Sequence, residues 1–416
     1  MPPTAATDIN PATEDGAASL LRSTRAIRSR ANALLARARR FESEFFTIND
    51  GALPNTAALV AEVTTARYPD LKIPYHSRWR HFEAGGHDRA ALLNAALGTV
   101  SPQERATAQI DLALVSVLLD AGAGPSWRYE EANTQQTFTR SEGLGVASVH
   151  AFRSGLFSSD PARLLQADAK GLQAITAARL GDAFQVAPDN PLIGLEGRAT
   201  LLRRLGDAVQ AQPAVFGSPA RPGGLFSHLA GNAKQIDAHD ILTLLLTALA
   251  PIWPAQNMIG GQAMGDCWRH PAVQGEGLSH GWMPFHKLSQ WLTYSLLEPF
   301  EWAGVKVAGL DGLTGLPEYR NGGLLLDAGV LRLKDESLAR TPAQAGDAFI
   351  VEWRALTVAL LDELAPLVRD HLGLTEAQMP LACVLEGGTW AAGRVLAQRL
   401  RGGSPPLNIV SDGTVF

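Results

Sequence analysis

Apolar residues return at spacings of three, four and seven along most of this chain, a period that suits helices and not strands. Leu21, Ile27, Leu34, Leu35, Phe41 and Phe45 follow it, which predicts one helix from about Ala18 to Phe46. "SPQERATAQIDLALVSVLLDAG" adds a Ser start, a Glu three residues later and a Gly stop, the marks of a capped helix. "LPNTAALVAEVTTARYPD", "SSDPARLLQADAKGLQAITAARLGD", "LEGRATLLRRLGDAVQ" and "HDILTLLLTALAPIW" carry similar grammar. "KLSQWLTYSLLEPFEWAG" reads as helical until Pro299, and "PAQAGDAFIVEWRALTVALLDELAPLVRDHLG" contains another long helix.

Strand signals are few and late: "VKVAGL", "GLLLDAGVL", "LACVL" and "LNIVS". The last two flank an expected helix at Thr389–Arg401, giving strand–helix–strand in about 30 residues, the length of a parallel crossover unit. The fold class is therefore mainly α (α+β), a large helical body with a small sheet near the C-terminus. Residues 1–17, rich in Ala, Thr, Pro and Asp, are expected to be disordered. Residues 18–416 are expected to form a single large helical domain, with an α/β element at about 305–416.

At 46% hydrophobic and 19% charged, the chain suits a globular protein with a sizeable core. A net charge of −5 argues against a whole-protein pull on nucleic acid. The seven arginines between Arg22 and Arg40 read as a solvated helix face. Two cysteines, Cys267 and Cys383, argue for a reducing compartment. The N-terminus has no signal-peptide pattern, and the longest apolar run is too short to span a bilayer. A cytoplasmic protein with no membrane or nucleic-acid partner is expected; oligomeric state stays open.

Four segments gather chemistry. "IPYHSRWRHFEAGGHDR" (73–89) packs His76, His81 and His87 with Arg78, Arg80, Arg89 and three aromatics, suiting an anion site, surface ion pairing or a metal site, although its histidines lack an i, i+4 pair and no cysteine is near. "GDCWRHPAVQGEGLSHGWMPFHK" (265–287) reads as a long loop over a pocket; its Cys267, His270, His280 and His286 match no zinc spacing. "LDGLTGLPEYRNGGLLLD" (310–327) alternates glycines with Asp311, Glu318, Tyr319 and Arg320, as a ligand loop or a series of turns would. In "LEGGTWAAGR" (385–394), Glu386, Gly387, Gly388 and Thr389 lie between an expected strand and helix. That turn either holds an anion on the helix N-terminus or is a plain tight turn. In a parallel pair, Glu386 and Asp412 would sit past the carboxyl ends of adjacent strands.

Several of these stretches, "IPYHSRWRHFEAGG", "GLTGLPEYRNGGLLLD", "VEWRALTVALLD", "LEGGTWAAGR" and "SDGTVF", resemble the uracil catabolism family, the fourth protein of the fungal and bacterial URC pathway of pyrimidine degradation. The resemblance covers most of the chain after about residue 20. It implies a step in degrading uracil through ribosylurea-type intermediates. "FHKLSQWLTYSLLEPFEWAGV" is also similar to a segment of the queuosine-salvage nucleotide glycosidase family, matched at Phe285, Leu288, Leu292, Thr293 and Pro299 with shifts of one or two residues. That family is helical and related to helix-hairpin-helix DNA glycosylases. Its catalytic aspartate falls on Leu297, beside Glu298.

Together the two resemblances imply hydrolysis of a ribosyl C–N bond in a ribosylurea-type intermediate, phosphorylated or not, with release of urea. Glu298, Asp311 or Glu318 would be the carboxylate at the anomeric carbon, and His286 or His81 would help the leaving group. Arg78, Arg80 and Arg320, with Gly387, Gly388 and Thr389, would hold phosphate, with Glu386 and Asp412 beside them. Trp282 and Tyr319 would stack on the planar urea. The expected partner is a small nucleoside- or nucleotide-like substrate, with no cofactor and no metal. Two alternatives stay open: a ureide or amide hydrolase, metal-assisted at the Cys267/His270/His280 loop, and a non-catalytic scaffold or regulator.

Overall fold

The computed structural model describes residues 9–253 and 256–410. The expectation for Asp412 and the terminal "SDGTVF" lies outside the described residues. The chain divides into two compact units. One comprises Met1–His76, Ala255–Gln290 and Leu310–Val410; the other comprises Ser77–Pro254, Trp291–Gly309 and Ser411–Phe416. Both are mainly helical, and the described strands form five two-stranded sheets. Among the described residues, no helix is long and apolar enough to cross a membrane.

The first unit is built on the Ala348–Leu372 helix, which packs against the Thr24–Arg39 and Leu53–Arg67 helices. Ile350, Val351, Trp353, Leu356, Leu360 and Leu364 are all buried, so this helix is apolar on more than one face and lies in a core. It ends at Gly373, whose φ of +66° stops it at little steric cost. Trp353 donates its indole N–H to the Gly322 carbonyl at 3.2 Å. A Cβ at Gly322 would stand 2.4 Å from the Trp353 ring, so glycine permits this approach. Phe46–Ile48 pairs antiparallel with Leu331–Leu333, and Cys267–Arg269 pairs antiparallel with Trp282–Pro284. The 265–287 segment is thus partly a hairpin, not one long loop.

In the second unit, Pro102–Leu118 begins with the expected capping box between Ser101 and Glu104 and packs on Arg140–Arg153. Leu195–Gln210 and Ala238–Ala248 form where periodicity places them. Gln235–Asp237 pairs parallel with Lys306–Ala308.

Several expectations need correction. The single helix over Ala18–Phe46 is two helices, Glu14–Leu21 and Thr24–Arg39, because Ser23 caps the second by accepting from the Ala26 N–H. The first begins at Glu14, inside the stretch expected to lack structure. Pro299 does not end its helix, which runs from Lys287 to Trp302. Proline removes the N–H that would meet the Ser295 carbonyl, and the Trp79 indole N–H takes that place at 2.9 Å. "GLLLDAGVL" is the end of the Tyr319–Asp327 helix followed by a three-residue strand. "LNIVS" contributes one bridge, Ala343 to Ile409.

"LACVL" is the largest departure. Leu381–Val384 is helical, Leu385–Thr389 is a π-helical turn, and Trp390–Arg401 continues as α-helix. A five-residue apolar run is too short for periodicity to separate a buried strand from a buried helix. The two glycines therefore do not lie between a strand and a helix. They let the π turn press against the Leu53–Arg67 helix: a Cβ at Gly388 would stand 2.5 Å from the Val60 carbonyl oxygen, and one at Gly387 would stand 2.9 Å from the Thr64 methyl. Gly388→Ala is accordingly expected to cost ~1–3 kcal/mol, as overpacking does. Urea unfolding would read this as a lower midpoint; an unchanged midpoint would contradict the close packing.

Candidate active site

In the second unit, the segment from Ser77 to Phe82 is fixed on the Lys287–Trp302 helix by a single residue. Ser295 accepts the Arg78 backbone N–H on its hydroxyl at 2.9 Å and the Trp79 indole N–H on its carbonyl. One turn further along that helix, Glu298 accepts from the Ser77 hydroxyl at 2.5 Å and from Arg80 Nη2 at 2.7 Å. Burial raises the Glu298 carboxyl, the Arg80 charge and Ser77 hydroxyl lower it, and the balance lies at about 7. Arg80 also pairs with Glu83 at 3.0 Å, and its Nε is buried without a hydrogen-bond partner among the described residues. Arg78 is fully buried; it donates to Ser116 Oγ at 2.7 Å and the Ser141 carbonyl at 3.2 Å, leaving Nη2 without such a partner. His81 meets Trp291 edge to face, with ring centroids 5.7 Å apart.

In the first unit, Glu386 is the second buried carboxylate of note. His76 Nδ1 lies 2.8 Å from one oxygen, while Arg67 Nη2 at 2.8 Å and the Tyr68 hydroxyl at 3.0 Å donate to the other. Burial works to raise its carboxyl, but His76 and Arg67 overcome this and hold it at about 2. Arg67 also donates to the Glu386 and Gly387 carbonyls, supplying donors where the π turn disrupts the i→i−4 ladder. Thr389 was expected at an N-cap but has helical φ and ψ of −65° and −46°, and its hydroxyl donates to Asn321 Oδ1 at 2.9 Å. The backbone N–H groups of this stretch lie inside a helical run, so the anion-holding turn is not formed.

The other expected residues of the first unit have structural partners. Glu318 caps the Tyr319–Asp327 helix, accepting from the Arg320 and Asn321 N–H groups at 2.7 and 2.6 Å. Burial raises its carboxyl against these two bonds. Asp311 is exposed on a 3-10 turn, and its carbonyl accepts from Arg28. Arg320 donates to the Gly403 carbonyl at 3.3 Å and lies 4.7 Å from the Tyr319 ring centroid. His286 is buried, burial lowers its pKa, and Nε2 donates to the Leu21 carbonyl at 3.0 Å. Trp282 is buried under the Arg269 guanidinium, 4.0 Å from its ring centroid.

The loop weighed for metal uses its groups elsewhere. Asp266 pairs bidentately with Arg354 at 2.7 and 2.8 Å, burial pushes the Cys267 thiol up, and His280 is exposed. Among the described residues, no three His, Cys, Asp or Glu side chains are placed to share a metal ion. Sequence reasoning missed Ser77, Arg67 and Tyr68 as partners of the two carboxylates. The first adjoins the singled-out arginines, whereas Arg67 meets Glu386 across 319 positions with no shared motif.

The low value at Glu386 sets a pH signature. The ordinary carboxyl value is ~4.3, and a depressed folded value stabilises fully above it and fades as pH falls toward 2. The contribution is on the order of 3 kcal/mol at neutral pH. Urea unfolding should show Glu386→Gln markedly less stable than the unaltered chain at pH 6, with the gap shrinking by pH 3. A gap independent of pH would contradict the assignment.

Residues 20–416 match the family described as "Protein of unknown function (DUF1688)". Protein urg3 of Schizosaccharomyces pombe is 43% identical over 401 residues, covering 94% of this chain and 96% of the relative. Uracil catabolism protein 4 of Lachancea kluyveri is 39% identical over 379 residues, covering 83% and 85%. Matches of this extent cover both units, and the chain belongs to this family, the uracil catabolism family that its sequence motifs resemble.

Proposed function

We propose that this chain acts in uracil catabolism as a hydrolase of the ribosyl C–N bond in a ribosylurea-type intermediate. The name of the Lachancea kluyveri relative supports the pathway. The observation that carries the chemistry is Glu298, a buried carboxyl at about 7 held by Ser77 and Arg80. A carboxyl at that value exchanges a proton at neutral pH, the property general acid–base catalysis needs. Urea is a poor leaving group unless its nitrogen is protonated as the bond breaks.

Protonated Glu298 gives its proton to the departing nitrogen. The resulting carboxylate then takes a proton from the water that adds to the anomeric carbon. One ribosyl C–N bond breaks, one C–O bond forms, and the carboxyl is restored. Arg80, ion-paired with Glu298 and with Glu83, holds the reacting carboxyl in place and keeps its proton affinity from rising further. The substrate is a small nucleoside- or nucleotide-like molecule, and hydrolysis needs only water.

Purified full-length chain should release urea from ribosylurea or its 5′-phosphate. With Glu298 as the acid, kcat/KM should fall above a pH of about 7. Glu298→Gln keeps the side-chain shape and should lower kcat by ~10²–10⁴-fold. No urea above background from either compound would remove this reading.

A further inference from the structure

Two buried carboxylates in this chain are each gripped by both teeth of one guanidinium. Arg89 reaches Glu131 through Nε and Nη2, and Arg354 reaches Asp266 through Nη1 and Nη2 at 2.7 and 2.8 Å. Burial works to raise both carboxyls, but the fork and the donors beside it overcome this and hold each at about 2. Those further donors are the His150 ring and the Thr134 hydroxyl at Glu131, and the Lys287 N–H and the Trp268 indole at Asp266.

Glu298 is buried to the same degree, at 8% exposure against 4% for Glu131 and 9% for Asp266. Its arginine, however, gives it one tooth. Arg80 Nη2 donates to Glu298 Oε1 at 2.7 Å, while Arg80 Nη1 turns to Glu83 Oε1 at 3.0 Å. Glu298 Oε2 is met by the Ser77 hydroxyl at 2.5 Å. Glu83 lies three residues after Arg80, at the C-cap of the Trp79–Phe82 turn, and its side chain is 46% exposed. It therefore holds Arg80 while keeping much of its own carboxylate in water. The charged groups acting on Glu298 are Arg80 and Glu83 on this turn and Glu301 along its own helix; Arg80 lowers its proton affinity, and the two glutamates raise it.

We propose that Glu83 is a positioning residue for Glu298: by holding Arg80 Nη1 it keeps the guanidinium from closing bidentately on Glu298, and so leaves that carboxyl able to carry a proton. An arginine shared between two carboxylates neutralises each less than a fork on one of them would. Glu83 acts through Arg80 and not on the substrate. The inference rests on Glu298 as the reacting acid in the reading above, but not on which bond is broken.

Carbon-13 NMR of the glutamate side-chain carboxyls tests this in the full chain, with the Glu298 signal assigned by its loss in Glu298→Gln. Glu83→Gln frees Arg80 to fork, and the Glu298 midpoint should fall from about 7 by ~1 pH unit. In Arg80→Lys the ammonium has no fork to close, so adding Glu83→Gln there should move the midpoint much less. A midpoint that stays put or rises in Glu83→Gln overturns the proposal, the rise because Glu83 would then be anchoring Arg80 onto Glu298. An equal shift in the lysine background overturns it too, since plain removal of a charge would explain it. The readout needs no substrate, so it stands even where no urea is released. Where urea is released, the pH above which kcat/KM falls should move down with the midpoint.

Discussion

Glu386 keeps a negative charge inside the first unit, and the arrangement around it depends on that charge being met. Arg67, Tyr68 and His76 meet it, all from the end of the Leu53–Arg67 helix and the chain just after it. They reach it only because Gly387 and Gly388 have no side chains to hold the π turn away from Val60 and Thr64. Packing and electrostatics are therefore one constraint here. A larger residue in the turn would press on Val60 and Thr64 and strain the contacts that Arg67, Tyr68 and His76 make with the buried carboxylate.

The same residue type takes a different character at Glu298. Both carboxyls are buried, and burial alone raises each. At Glu386 three donors over-compensate, and the group is locked in its ionised form. At Glu298 one guanidinium and one hydroxyl leave it near neutrality, where it gains and loses a proton readily. One residue type thus reaches two different proton affinities through its surroundings alone. The Ser295 contacts bear on this indirectly: by receiving the Trp79 indole at the carbonyl freed by Pro299, that helix holds Ser77 and Arg80 in reach of Glu298.

The helical skeleton was legible where local chemistry is self-sufficient. The Ser101–Glu104 capping box and the apolar periods of Leu195–Gln210 and Ala238–Ala248 each specify their element without help from distant residues. Local reading failed where a remote group intervened. Pro299 looked like a stop because the Trp79 indole that compensates it lies in another segment. "LACVL" looked like a strand because nothing in five apolar residues reveals the helix they start. For the candidate sites, the Ile73–Arg89 segment stood out by composition, and Glu298 through its resemblance to a glycosidase segment.

Sequence by itself determined that this chain is mainly helical, where several of its longer helices lie, and which family it resembles. Those properties follow from short-range hydrogen bonding, side-chain period and motif order. Tertiary structure decided the surroundings of each charged residue. A glutamate's proton affinity depends on how much water it loses and which donors replace that water. Both are set by residues far away in the chain, so Glu298, Glu318 and Glu386 became distinguishable only once their neighbours were in place.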